Sequence, residues 1–142
     1  MKVVEMYRVK SEIKAVLPLF IARIAAGYPS PADDYIEEQI DLNKKLITHP
    51  EATYLVRVIG DSMINARIQT GDFLIVDRSL KPDNNDIVVA ILNREITVKR
   101  LIKKTNRWYL VAANPKYPPF EIAPEMDFEL WGKVTYIFHP AM

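Results

Sequence analysis

From residue 53 onward, short apolar and β-branched runs alternate with turn residues. Runs of this composition bounded by glycine, asparagine and aspartate are typical of β-strands. The predicted strands are residues 54–59, 73–76, 87–92, 95–101, 108–113 and 128–138. The pair Asn93-Arg94 between two of these runs predicts a hairpin. Several short strands at close spacing indicate a compact, mainly β domain.

The N-terminal part of the chain has a different pattern. Residues 1–26 form a basic, partly apolar arm that is too short for a domain, with at most one short helix ending near Pro18. Residues 27–31 contain a glycine and two prolines, which end regular structure. Asp41 then predicts the N-cap of a short helix that reaches to about Thr48. We therefore divide the chain into an extended N-terminal arm, residues 1–26, and a core domain, residues 27–142.

Composition excludes several classes of protein. The 142 residues contain no cysteine and only two histidines, His49 and His139. Disulfides, thiolate catalysis, cysteine-based metal sites and multi-histidine metal sites are therefore excluded, and we expect no cofactor. The formal net charge is +1, and its basic excess lies in the arm. The core lacks the clustered basic face of a duplex-binding domain, so we expect no direct, specific DNA binding.

The sequence favours a cytoplasmic protein without a membrane anchor. No segment approaches the roughly 20 apolar residues that span a bilayer. Residues 15–22 form an apolar run followed by small residues, which can imitate a secretory signal. Pro18 breaks this run, and Arg23 separates it from the small residues.

Ser62 is the first candidate catalytic residue. It follows Gly60-Asp61 at the end of a predicted strand, where a glycine lets the backbone turn and present the serine. A serine hydroxyl needs a neighbouring base to act as a nucleophile, and the backbone N–H of Ser62 can help to stabilise an oxyanion. Taken alone, a turn serine that satisfies local hydrogen bonds is the simpler interpretation.

Lys99 is the candidate general base. Strand alternation places it on one face together with Thr97 and Leu101. The opposite face also carries apolar residues, so Lys99 is expected to lie against packed surface. Burial disfavours the charged form of a lysine, which allows such a lysine to accept a proton near neutral pH. Taken alone, a solvated strand lysine is the simpler interpretation.

A histidine base fits the sequence less well. Gly-Asp-Ser also opens the motif of the Gly-Asp-Ser-Leu esterases, whose catalytic histidine follows an aspartate by three residues near the C-terminus. Here Tyr136 stands three residues before His139, and Met63 stands in the place of the leucine. Residue 64 is isoleucine, so the sequence has no Gly-x-Ser-x-Gly elbow around Ser62 either.

The order of four segments favours the serine–lysine pair. The segments are residues 60–63 (Gly-Asp-Ser-Met), 70–77 (Thr-Gly-Asp-Phe-Leu-Ile-Val-Asp), 86–90 (Asp-Ile-Val-Val-Ala) and 97–101 (Thr-Val-Lys-Arg-Leu). This order resembles the peptidase core of the LexA-like family of self-cleaving serine–lysine peptidases and, more distantly, that of bacterial signal peptidases. The UmuD branch of the LexA-like family is further resembled by residues 26–35, 40–43, 46–47, 49–50 and 52–54.

The resemblance implies a mechanism and a set of partners. Ser62 would be the nucleophile, Lys99 the general base, and the chain's own Ala26–Gly27 bond the scissile bond. The small side chains of these two residues let the backbone enter a narrow cleft. The resemblance also implies a homodimer in the SOS response to DNA damage, with cleavage promoted by the RecA–single-stranded-DNA filament. The shortened product would join a UmuC-type translesion DNA polymerase.

Two other classes of function remain open. A secreted or membrane-proximal enzyme similar to signal peptidase would need an anchor and would process unrelated peptides. A non-catalytic interaction module would keep the fold and use its arm only for binding. The presence of both Ser62 and Lys99 argues against such a module.

Overall fold

The computed structural model describes residues 1–9, 16–20 and 36–141. Along the chain the elements are β1 (Lys2–Arg8), β2 (Val16–Phe20), β3 (Ile36–Asp41), α1 (Leu42–Leu46), β4 (Thr53–Ile59), β5 (Phe73–Asp77), β6 (Ile87–Leu92), β7 (Glu95–Lys104), β8 (Arg107–Val111), β9 (Phe120–Glu121) and β10 (Phe128–Phe138), with 3-10 turns at Pro50–Ala52 and Ile64–Ala66. The chain divides into two compact units. One unit comprises Met1–Val9 together with Glu51–Met142, and the other comprises Lys10–Pro50.

The larger unit is built on one eight-stranded sheet. The strand order is β1-β4-β5-β10-β6-β7-β8-β9, and each neighbouring pair is antiparallel. In addition, Lys2 of β1 lies opposite Thr97 of β7, so the first strand pairs with β4 along its length and touches β7 at its beginning. The prediction of a mainly β fold is confirmed.

The predicted strands of the core are present with small changes at their ends. β6 has the predicted bounds, whereas β7 continues three residues beyond residue 101. The hairpin between them turns at Asn93 and Arg94, whose φ angles of 49° and 70° are left-handed, as a two-residue hairpin turn requires. The short strand β9 was not predicted.

The core of the larger unit consists of two clusters of buried side chains. The first cluster includes Val56, Val58, Met63, Ile68, Leu74, Val76, Val89, Val98 and Trp131. The second cluster comprises Val88, Ala90, Leu101 and Leu110. Strand β7 contributes to both clusters, because Val98 and Leu101 are both fully buried. This packing holds the middle of β7 from two directions.

The smaller unit contains a two-stranded sheet and a short helix. Strands β2 and β3 are antiparallel, with Val16 opposite Asp41. The Asp41 carboxylate accepts a hydrogen bond from the N–H of Asn43 at 3.0 Å and caps α1, as predicted. The short helix that the sequence allowed up to about Pro18 is not found there, because Pro18 lies inside β2. None of the described helices is long and apolar enough to cross a membrane.

Candidate active site

Ser62 lies in a tight turn that follows β4, and residues 60–63 are called the Ser62 turn below. Gly60 has a φ of 116°, a conformation that favours glycine. Its N–H donates a hydrogen bond to the Thr70 hydroxyl oxygen at 2.8 Å, and that hydroxyl donates to the Gly60 carbonyl at 3.0 Å. Ser62 itself is only 3% exposed. The turn therefore presents the serine inside a cleft rather than to bulk water.

A second loop, residues 112–117, fastens the Ser62 turn from the side. The Asn114 side-chain amide donates to the Asp61 carbonyl at 3.0 Å, and the Tyr117 hydroxyl donates to the Asp61 carboxylate at 2.5 Å. The bond from Tyr117 lowers the pKa of Asp61 and raises the pKa of Tyr117, because it favours the ionised carboxylate and the neutral phenol. Asp61 is thereby held on both its backbone and its side chain.

The residue after the serine anchors the turn from below. Met63 is fully buried in the first core cluster. Its sulfur accepts a hydrogen bond from the N–H of Ala113 at 3.4 Å, and the Asn65 N–H donates to the Ala113 carbonyl at 2.8 Å. The 112–117 loop therefore contacts the chain on both sides of Ser62, at Asp61 before it and at Met63 and Asn65 after it.

Lys99 reaches the serine from strand β7. In the register of the sheet Lys99 lies opposite Val88 of β6, between the buried residues Val98 and Leu101. Its amino group donates a hydrogen bond to the Ser62 hydroxyl oxygen at 2.7 Å. The fold thus brings together two residues that are 37 positions apart, at the distance that a nucleophile and its base require.

The amino group of Met1 contacts the same oxygen. It donates to the Ser62 hydroxyl oxygen at 2.6 Å. Burial, the hydrogen bond with Lys99 and the Lys99 charge lower the pKa of this amino group from 8.0 to about 5. The Met1 carbonyl accepts hydrogen bonds from the Thr97 hydroxyl at 2.9 Å and the Val98 N–H at 3.2 Å. This contact was not predicted from the sequence.

An apolar cavity lies beside the two amino groups. It has a volume of about 340 Å³, and its wall includes Leu92, Ile96, Lys99, Leu110, Tyr117 and Phe120. A second cavity of about 360 Å³ contains Ser62 and Lys99 in its lining. Clefts of this size with a few polar groups are suited to hold the side chains of a peptide.

The remaining candidates lie elsewhere or outside the described residues. The ring of His139 contacts the fully buried Asp72, with 2.7 Å between Nδ1 and the carboxylate oxygen. His49 follows α1, in the smaller unit. Ala26 and Gly27 fall outside the described residues. Among the described residues, no group of three or more histidine, aspartate or glutamate side chains could hold a metal ion.

Comparison with known proteins identifies the family. Residues 18–135 match the family model described as Peptidase S24-like. The chain belongs to the Peptidase S24-like family. Protein MucA of Escherichia coli is 43% identical over 127 residues, which cover 87% of this chain and 86% of the relative. Protein SamA of Salmonella typhimurium is 45% identical over 127 residues, which cover 89% and 88%.

The LexA repressor of Ectopseudomonas mendocina also belongs among the relatives of this S24-like chain. It is 42% identical over 107 residues, which cover 75% of this chain and 52% of the repressor. These relatives confirm the predicted UmuD-like branch of the LexA-like family. They support, at the level of the family, a self-cleaving serine peptidase related to the SOS response.

Sequence reasoning selected Ser62 and Lys99 but missed the groups around them. Strand alternation placed Thr97 on the same face as Lys99, but nothing in the sequence was a reason to assign Thr97 a role. No signal indicated Asn114 or Tyr117, because their contacts with Asp61 span 53 and 56 positions of the chain. Nothing in the composition of the arm indicated that Met1 would reach Ser62.

Proposed function

We propose that this chain is a cytoplasmic serine peptidase that cuts its own Ala26–Gly27 bond. Ser62 is the nucleophile and Lys99 the general base, and the cut separates the arm, residues 1–26, from the core, residues 27–142. The observation that carries the proposal is the hydrogen bond of 2.7 Å between the Lys99 amino group and the Ser62 hydroxyl oxygen. Membership of the Peptidase S24-like family supports the same chemistry.

The reaction requires Lys99 in its neutral form. The Ser62 oxygen attacks the carbonyl carbon of Ala26 while the Lys99 nitrogen takes the hydroxyl proton. The backbone N–H of Ser62 is proposed to stabilise the oxyanion of the tetrahedral intermediate. When the intermediate collapses, the C–N bond breaks and Lys99 returns the proton to the amino group of Gly27. Water, deprotonated by Lys99, then hydrolyses the ester on Ser62.

The biological partners form the second part of the proposal. The RecA–single-stranded-DNA filament promotes the cut, and the core acts as a homodimer that joins a UmuC-type translesion polymerase. The similarity to MucA and SamA over most of both chains supports this SOS-related role. The similarity to the LexA repressor covers only 52% of that protein, so it supports the peptidase chemistry rather than a repressor role.

Intact-mass spectrometry tests the chemistry and the partner separately. The wild type, Ser62→Ala and Lys99→Ala are incubated at pH 7.5 with RecA, single-stranded DNA and a non-hydrolysable ATP analogue. The wild type is also incubated alone at pH 10, where more lysine is neutral. We expect the fragments 1–26 and 27–142 in the wild type only. Cutting at pH 10 but not with RecA would keep the chemistry and exclude the RecA link.

Lys103→Ala is the matched control for the lysine. Lys103 lies on the same strand, and its amino group donates to the Pro82 carbonyl at 2.9 Å instead of to Ser62. This variant should be cut at the wild-type rate. A Ser62→Ala protein that still yields the 27–142 fragment would contradict the proposed nucleophile and would favour the non-catalytic interaction module.

A further inference from the structure

The first strand is bound to the larger unit as an extended peptide would be. Its ladder with β4 runs from Lys2 opposite Ile59 to Arg8 opposite Tyr54. At its beginning, the Met1 carbonyl accepts two hydrogen bonds from β7, one from the Thr97 hydroxyl at 2.9 Å and one from the Val98 N–H at 3.2 Å. Backbone pairing of this kind gives affinity for an extended segment largely independently of its sequence.

Side chains of the strand add to this binding. Met1 is 9% exposed and belongs to the first core cluster, and Val3 packs against the same cluster. Glu5 forms an ion pair of 2.9 Å with Arg57 on the neighbouring strand. Val4, in contrast, is 41% exposed. The strand therefore has one face that packs against the core and one that faces solvent.

Met1, which precedes the first residue of the strand, contacts the nucleophile Ser62. The Met1 amino group and the Lys99 amino group lie 2.6 Å and 2.7 Å from the same Ser62 oxygen. Gly60 permits this close approach, because a Cβ at Gly60 would lie only 3.3 Å from the Met1 Cα. A peptide bond that is cut by a serine leaves a free amino group beside the serine oxygen. Met1 therefore occupies the place of the departing amine.

We propose that residues 1–8 are a built-in ligand of the leaving-amine side of the catalytic cleft, and that Ser62 becomes reactive only when this strand withdraws. The inference rests on the proposed function, since the Ala26–Gly27 bond must reach the same oxygen in order to be cut. Met1 and the scissile bond exclude one another at Ser62. Any partner that draws residues 1–8 away from β4 and β7 therefore raises the fraction of chains that can react.

Two substitutions in adjacent residues test this inference. Val3→Asp places a carboxylate against the first core cluster and should release the strand, whereas Val4→Asp makes the same change of charge on the solvent side. Both proteins, the wild type and Ser62→Ala are treated with a small fluorophosphonate, and labelling of Ser62 is followed by mass spectrometry. If the strand occupies the cleft nine-tenths of the time, Val3→Asp should be labelled about tenfold faster than the wild type. Val4→Asp should match the wild type.

A second variant and a second measurement guard against a folding defect in Val3→Asp. A chain extended by Gly-Ser-Gly ahead of Met1 keeps every native side chain but moves the amino group away from Ser62, and it should also be labelled faster. Hydrogen exchange of the peptide covering residues 1–9 is measured in every protein. We expect slow exchange in the wild type and in Val4→Asp, and fast exchange in Val3→Asp.

The outcomes separate this inference from the proposed function. Rapid exchange of residues 1–9 in the wild type, or equal labelling of Val3→Asp, the extended chain and the wild type, would overturn the inference even if self-cleavage occurs. Slow hydrogen exchange of residues 1–9 with no labelling of Ser62 in any protein would overturn the inference that residues 1–8 cover a reactive serine. It would also count against the proposed function. Faster labelling of both released forms supports the inference, whatever the scissile bond proves to be.

Discussion

The two sides of the candidate active site are held in place by different means. Lys99 projects from the middle of a ten-residue strand that pairs with neighbours on both sides and packs into both core clusters. Ser62 lies in a turn that has no strand pairing. The turn depends on the positive φ of Gly60 and on hydrogen bonds from Thr70, Asn114 and Tyr117. The base is therefore fixed by packing along a paired strand, and the nucleophile by a few directed contacts together with the burial of the adjacent Met63.

This difference determines how each side should respond to substitution. Loss of packing on the lysine side should cost free energy of unfolding, because buried apolar volume is distributed over the whole sheet. Loss of one contact on the serine side should cost less stability. It should nevertheless affect the reaction, since the serine oxygen must stay within hydrogen-bonding distance of its base.

The largest effect is expected for Leu101→Ala. Leu101 is fully buried in the second core cluster with Val88 and Leu110. Its truncation should lower the free energy of unfolding by about 3 kcal/mol, as measured by urea denaturation. Ile102→Ala, at the next and only partly buried position, is the control and should cost clearly less. Equal losses in the two variants would contradict a role for packing in holding β7.

A pair of glycines tests the turn. Gly60 and Gly71 have φ angles of 116° and 92°, so alanine at either position should cost about 1–2 kcal/mol of unfolding free energy through backbone strain. A Cβ at Gly71 has nothing within 4 Å, whereas at Gly60 it meets the Met1 backbone at 3.3 Å. Only Gly60→Ala should therefore accelerate hydrogen exchange of residues 1–9. If Gly71→Ala did so equally, the close approach of Met1 would have no consequence.

A smaller effect is expected for Tyr117→Phe, which removes the hydroxyl that donates to Asp61. One lost hydrogen bond of about 1 kcal/mol corresponds to about a fivefold slower self-cleavage if it is felt at the serine. Because the bond from Tyr117 lowers the pKa of Asp61, that pKa should rise in the variant, which NMR titration can measure. Tyr109→Phe removes the same group on β8 and should change neither quantity.

The last expected effect is a pH dependence of the docked first strand. Burial and Lys99 lower the pKa of the Met1 amino group from 8.0 to about 5, with Lys2 acting in the same direction and Asp61 against it. The released strand binds more protons than the docked strand between these values, so docking should weaken as pH falls from about 8 towards 5.

NMR signals of the Thr97 and Val98 amides report this equilibrium in freshly prepared, uncut protein. A chain whose amino terminus is acetylated has no ionisable group at Met1 and serves as the control. Its signals should not titrate in this range. A wild-type profile identical to that of the acetylated chain would exclude the Met1 amino group as the origin of the pH dependence.

Local patterns explain which parts of the structure were predictable. Strands β4 to β8 and β10 were recognised because each combines a run of β-branched residues with turn residues at its ends. The hairpin at Asn93-Arg94 was recognised as two turn residues between two such runs, and the cap at Asp41 as an N-cap residue before a short helix. Ser62 and Lys99 were selected because the segments that carry them occur in a characteristic order.

The missed features depend on partners that are remote in the sequence. Strand β1 alternates only partly buried with exposed residues, and its pairing is provided by β4 and β7 rather than by its own composition. The contact between Tyr117 and Asp61 likewise requires the loop and the turn to be folded against each other. The division into arm and core is defined by the proposed cut, and it remains a prediction.

The pairing of β1 with both β4 and β7 has a consequence for the protein once that strand has left. Withdrawal of residues 1–8 leaves the backbone N–H and C=O groups along one side of β4 without partners, and frees those that Met1 and Lys2 contact on β7. Unpaired strand edges attract other extended chains and promote self-association. Release of the strand would therefore expose unpaired strand edges. The same event that uncovers Ser62 would create a place where another polypeptide can add a strand.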